Sequence, residues 1–195
     1  MKTTFQTIAW SALGAFLCIS PFAAMEIFNR RAYGEDFPFM LFFAMWINFF
    51  AILAILLPLG WGIWRAKRAQ GQPAPAAGNP RRSIIFSLSL LGIIGLLSLL
   101  DALGWLPLTA WFNGPNPQEF YPPGWIINLV FFGLPLASGL IASQQIVRTR
   151  AAGGRWFAHP VLWLIVIVLV VLFASGLLGL ILNQWPCFIG RPVCD

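Results

Sequence analysis

Ionisable and reactive side chains are scarce in this chain. It holds 12 Lys+Arg, 6 Asp+Glu, one histidine and three cysteines among 195 residues. Enzymatic chemistry needs a converging set, such as a nucleophile with its base and orienting group, or several metal ligands. One histidine and a single cysteine outside the C-terminal tail leave metalloprotease, zinc and triad chemistry without their parts. A bis-histidine haem within the chain is impossible for the same reason. The chain is therefore expected to be no enzyme, with no catalytic residue and no metal site. Charged residues amount to 9%, against about 25% in ordinary soluble domains, so a soluble surface cannot be built. Internal repeats are also missing, which removes the usual mark of a transporter made of two related halves. No family's motifs match residue by residue.

What the chain has in excess is apolar surface. Hydrophobic residues make up 59%, against roughly 45 to 50% in soluble proteins, and they fall into long uncharged runs. Crossing about 30 Å of hydrocarbon takes about 20 helical residues at 1.5 Å each. Backbone amides in lipid must be satisfied within one segment or within a closed barrel. Continuous runs, rather than short alternating ones, select helices over a barrel. The expected fold is an all-α integral membrane protein of about five transmembrane helices in a single membrane domain, over residues 5–25, 37–64, 83–103, 125–146 and 161–183.

The first of these follows Met1-Lys2 in the order of a secretory signal peptide. Pro21 and Phe22 crowd the cleavage region, no A-x-A precedes a break, and Cys18 lacks the small residues of a lipoprotein signal. The segment is accordingly taken as a membrane helix. The second run starts after Glu35-Asp36, where Asp36 suits a cap and Pro38 a first turn. It is long enough to require tilt, a kink at Pro58 or projection past the hydrocarbon. Pro135 should bend the fourth.

Between the runs, residues 65–82, RAKRAQGQPAPAAGNPRR, read as a flexible cytoplasmic linker. Residues 102–124 are aromatic and proline-rich, too broken to span. Trp105, Trp111, Phe120 and Tyr121, with Trp125 at the border, suit the headgroup layer and form a candidate docking loop on the outer surface. Residues 184–195 form an exported tail.

Lys and Arg in short loops set topology. Lys2, the five cations of residues 65–82 and Arg148, Arg150 and Arg155 fall on one side, against Arg30, Arg31 and Arg191 on the other. The richer side marks the cytoplasm. The expected orientation is N-in/C-out in the cytoplasmic (inner) membrane. A net charge of +6 does not signal nucleic-acid binding here, because the cations flank apolar runs and no soluble basic domain carries them.

Some residues invite a sharper assignment. Cys187 and Cys194 in WPCFIGRPVCD are separated by a stretch containing Gly190 and Pro192, and a disulfide is the natural state of an exported tail. His159, just before Pro160, could ligate haem or a chlorophyll-type pigment. Its plainer role is that of an interfacial polar residue, so no cofactor is predicted. Glu26, Asn29, Arg30, Arg31, Glu35 and Asp36 form an outer-face polar cluster, expected to be solvated ion pairs of little energetic weight. The spans themselves are expected to hold no ionisable residue, with Asp101 marking the edge of the third. Asn48, Asn128 and Gln144-Gln145 are expected to form interhelical hydrogen bonds.

The function these features favour is a non-catalytic accessory or scaffolding subunit of a larger membrane complex. Its partners would be the lipid bilayer and other membrane subunits. Two alternatives stand beside it: a small transporter or lipid-binding membrane protein bent at Pro21, Pro58 and Pro135, and a haem- or chlorophyll-associated subunit using His159.

Overall fold

A computed structural model describes residues 2–33, 38–68, 78–108, 122–155 and 157–190. The described residues form five long α-helices: α1 (Lys2–Tyr33), α2 (Phe39–Arg68), α3 (Pro80–Ala102), α4 (Pro122–Ala151) and α5 (Pro160–Phe188). There is no strand among the described residues. All five helices contain a stretch long and apolar enough to cross a membrane, so the chain is a multi-pass membrane protein.

The helices are longer than their apolar cores. α1 continues past residue 25 to Tyr33, α2 past 64 to Arg68, and α5 past 183 to Phe188. α4 starts at Pro122 and runs on to Ala151, so Arg148 and Arg150 occupy its last turn rather than a loop. Hydrophobic length fixes what lies in the hydrocarbon, but nothing stops a helix from continuing into the headgroup layer. The linker shrinks at both ends for that reason, since residues 65–68 finish α2 and 80–82 open α3. Of the remainder, residues 69–77 lie outside the described residues, as do residues 109–121 of the docking loop and 191–195 of the tail.

Local sequence accounts for the helix ends. α3 opens on Asn79, whose side chain accepts from the Arg82 N–H, with Pro80 at the first helical position. It closes at Gly104, where φ is +73°. The Trp105 N–H donates to the Leu100 carbonyl and the Gly104 N–H to that of Asp101, the paired bonds of a Schellman closure. The helix therefore stops at Ala102, which leaves Asp101 in the final turn.

The chain divides into two compact units. One comprises residues 1–65 and 167–195, the other 66–166. In the first, Ile19 of α1, Phe42 and Met45 of α2, and Leu177 and Phe188 of α5 form a buried cluster. Phe22 and Phe42 both tilt against the Phe188 ring, at 5.3 and 6.3 Å between centroids. The Trp46 indole N–H donates to the Ala12 carbonyl at 3.2 Å, and Gly14 brings α1 close to Leu53 of α2.

In the second unit α3 and α4 pack antiparallel. The Ser87 hydroxyl donates to the Ser138 carbonyl at 3.2 Å, and the Ser138 hydroxyl returns a bond to the Ser87 carbonyl at 3.1 Å. Both serines are fully buried. Between membrane helices the hydrophobic effect supplies no net attraction, so close backbone approach and such bonds carry the association. Ser87→Ala and Ser138→Ala each remove one donor and leave its carbonyl acceptor in place, so each should cost about 0.6 to 1.7 kcal/mol by chemical unfolding in mixed micelles and the double variant about the sum. No loss in either single variant would mean that the pair is not a fastener.

Candidate functional site

Buried polar side chains in hydrocarbon are the natural candidates for function, and each unit has a group of them near one end of its helices. In the first unit, Ile19, Phe22, Glu26 and Asn29 recur along α1 at spacings of three, four and three, which places them on one face. Ile19 belongs to the buried cluster and Phe22 touches the Phe188 ring. One turn further on, Glu26 is 1% exposed.

This corrects two expectations. Glu26 is buried rather than solvated, and the first span is not free of ionisable groups. The cause is the extension of α1, which carries Glu26 inside the helix instead of into a loop. Arg30 and Arg31 continue that helix, while Glu35 and Asp36 lie outside the described residues.

Asn29 has a different task. Its side-chain amide donates to the carbonyl of Phe188 and, at 3.4 Å, to that of Cys187. The last carbonyls of a helix have no partner within it, and here a residue far away in sequence supplies one for α5. Gly190 completes the closure, with φ of +76° and its N–H donating to the Cys187 carbonyl. A Cβ built on Gly190 would lie 3.0 Å from the Asn29 amide oxygen, so a side chain there meets both backbone strain and crowding. Nothing in the sequence links positions so distant, although a glycine shortly after an apolar helix is a recognisable stop signal.

In the second unit the corresponding residue is Gln145 of α4, 2% exposed. Its amide nitrogen donates to the Gly78 carbonyl at 3.0 Å, and its amide oxygen accepts from the Ser83 hydroxyl at 3.3 Å. A Cβ on Gly78 would fall 2.7 Å from that oxygen. The residues entering α3 are thereby tied to α4. Asn48, by contrast, donates to Ala44 of its own helix at 2.8 Å, and its amide nitrogen makes no interhelical bond to a described residue.

His159 stands immediately before α5 and accepts the Leu162 N–H through its carbonyl at 3.1 Å, the position of a helix cap. Trp105 is exposed just past the end of α3. Its companions Trp111, Phe120 and Tyr121 fall outside the described residues, as does the side chain of Trp125. Cys18 is a free, exposed thiol. Cys187 is buried in the last turn of α5, and Cys194 is outside the described residues. Among the described residues no group of three His, Cys, Asp or Glu is placed to hold a metal ion.

The chain matches no family model, no curated protein and no solved structure. Function must therefore be argued from these side chains alone.

The Asn29 contacts carry a prediction of sign. Asn29→Ala leaves two carbonyls with one donor fewer and should cost about 1 to 2 kcal/mol. Asn29→Asp replaces the donor with an acceptor facing carbonyl oxygens and should cost more. Thermal unfolding in detergent ranks the two variants, and equal stability would remove the capping role.

Proposed function

We propose that the protein is a non-catalytic accessory or scaffolding subunit of a larger membrane complex. The observation that carries this reading is how the buried polar groups are used. Ser87 and Ser138 bind each other's helices. Gln145 fastens the start of α3. Ser11 and Ser143 bond back to carbonyls of their own helices at 2.8 and 3.0 Å. The serine pair and Gln145 are committed to holding helices, and Ser11 and Ser143 are satisfied within their own, as suits a part whose role is to present a stable membrane surface.

Purification in mild detergent should yield a second membrane protein at fixed stoichiometry through successive columns, identified by mass spectrometry. A clean, stable monomer from its native membrane would sink the proposal.

Glu26 supports a second reading, a small transporter. A carboxyl nine-tenths or more buried within a span is costly to keep and often marks an ion or proton path. Glu26→Gln preserves the shape and removes the ionisable group. In this second reading, ion or proton flux in proteoliposomes is abolished by the substitution while folding persists. Flux that is unchanged, or none from the native protein, leaves only the subunit reading.

The orientation belongs to the same proposal: N-terminus in the cytoplasm, C-terminus outside, and a Cys187–Cys194 disulfide. Support comes from the side-to-side imbalance of cations. Further support is that Cys18 is the one free cysteine among the described residues. A membrane-impermeant thiol reagent applied to intact cells should label the tail cysteines only after external reduction. Labelling that requires lysis reverses the orientation.

A further inference from the structure

The end of the second unit that holds Gln145 is also its basic end. Arg81 and Arg82 lie just before Ser83, and Arg148 and Arg150 follow Gln145 within the last turns of α4. Because Ser83 and Gln145 touch, all four arginines rise from one pair of adjoining helix ends, within about 8 Å along either axis at 1.5 Å per residue. Arg81, Arg82 and Arg148 are exposed. None of the three forms an ion pair with a described residue. Arg150 gives part of its guanidinium to the Gly154 carbonyl at 3.2 Å. The one acidic residue described in this unit, Asp101, sits at the opposite end of α3.

A second feature leads away from these arginines. Arg81, Ile85, Leu88, Gly92, Gly95 and Leu99 follow a helical spacing of three or four, so they share one exposed flank of α3, round the helix from Ser87. Ile85, Leu88 and Leu99 are exposed, and a Cβ on Gly92 or Gly95 would meet nothing within 4 Å. Two glycines inside a helix cost about 1 kcal/mol each relative to alanine, and here they leave a shallow depression between leucines. From Arg81 to Gly92 the helix rises about 16 Å. One leaflet of hydrocarbon is about 15 Å deep, half the usual core. The depression therefore lies where the ends of acyl chains would reach from a headgroup held at Arg81.

We propose that this end of α3 and α4 binds an anionic phospholipid, its phosphate on Arg81, Arg82 and Arg148 and an acyl chain along α3 past Gly92 and Gly95. A phosphodiester complements guanidinium groups by bidentate hydrogen bonding and charge. Basic groups between membrane helices recognise such headgroups. The bilayer supplies the ligand, and the apolar stripe continuous with the cations selects a lipid over a soluble anion. This site does not depend on the subunit reading.

The test is native mass spectrometry of the full chain released from nanodiscs containing equal phosphatidylglycerol and phosphatidylcholine. Phosphatidylglycerol should be retained preferentially. Arg81→Gln, Arg82→Gln and Arg148→Gln should each weaken it by about five-fold, while the Arg→Lys forms, which keep the charge but lose the bidentate geometry, weaken it less and show that the variants fold. Gly92→Leu should lower lipid retention without changing any charge. Equal retention of the two lipids, or a preference unaltered in all three Gln variants, overturns the proposal. Displacement by inorganic phosphate beyond that by chloride at equal ionic strength overturns it too, by assigning the site to a soluble anion. Unaltered retention in Gly92→Leu removes the acyl-chain part.

Discussion

Hydrocarbon offers no hydrogen-bond partner, and the organisation of this chain follows from that constraint. Most amides that enter the bilayer are satisfied within their own helix, with Pro21, Pro58, Pro135 and Pro186 each removing one such bond, so the described residues fall into five long helices. Side chains obey the same requirement. Gln145 does not point into lipid; it spans from Gly78 to Ser83. Ser87 and Ser138 each satisfy the backbone of the other's helix. Polar atoms, few in number, thereby become the places where helix positions are fixed.

Helix ends are where the constraint relaxes and where the two units show their individual character. Asn29 caps α5 through the Cys187 and Phe188 carbonyls, beneath which the Phe22, Phe42 and Phe188 rings exclude polar partners. The cap and the aromatic layer reinforce each other. A carbonyl facing an apolar cluster is expensive to leave unpaired, so the packing of Phe188 makes the Asn29 amide matter more than it would in water. Glu26 lies one turn below the half-buried Asn29 on the same face of α1 and is itself buried.

The existence and number of the helices were legible in the sequence, because runs of apolar residues encode membrane crossing directly. Their ends were not. Hydropathy falls off at residue 25 of the first run, yet α1 continues to Tyr33, and Asn29 within that extension finds its partners on α5. That misplacement of a boundary is why Glu26 and Asn29 looked like members of a solvated loop. Gln145 was legible as an interhelical side chain because an amide in an apolar run has few alternatives. Its partner Gly78 was not, since a glycine in a linker carries no mark of the close approach it permits. Asn48 shows the converse, an amide that satisfies its donor within its own turn.

α3 is the helix on which these considerations converge. Only 6% of its apolar window is buried, against 28% for α2, α4 and α5. Its seat on α4 is therefore set by Ser83 and Ser87 rather than by extensive apolar packing, and the exposed flank is left to the surroundings. A helix held so lightly responds to what lies against that flank. Lipid chains of matching depth would add dispersion contacts along Ile85, Leu88 and the Gly92 and Gly95 depression, where the helix itself supplies none. The arginines at its start would hold such a lipid in register with the Ser83 to Gln145 fastening. Headgroup charge and interhelical hydrogen bonding then act on the same turn of α3, so occupancy of the lipid site and the fit of α3 on α4 are thermodynamically linked: whatever tightens one tightens the other.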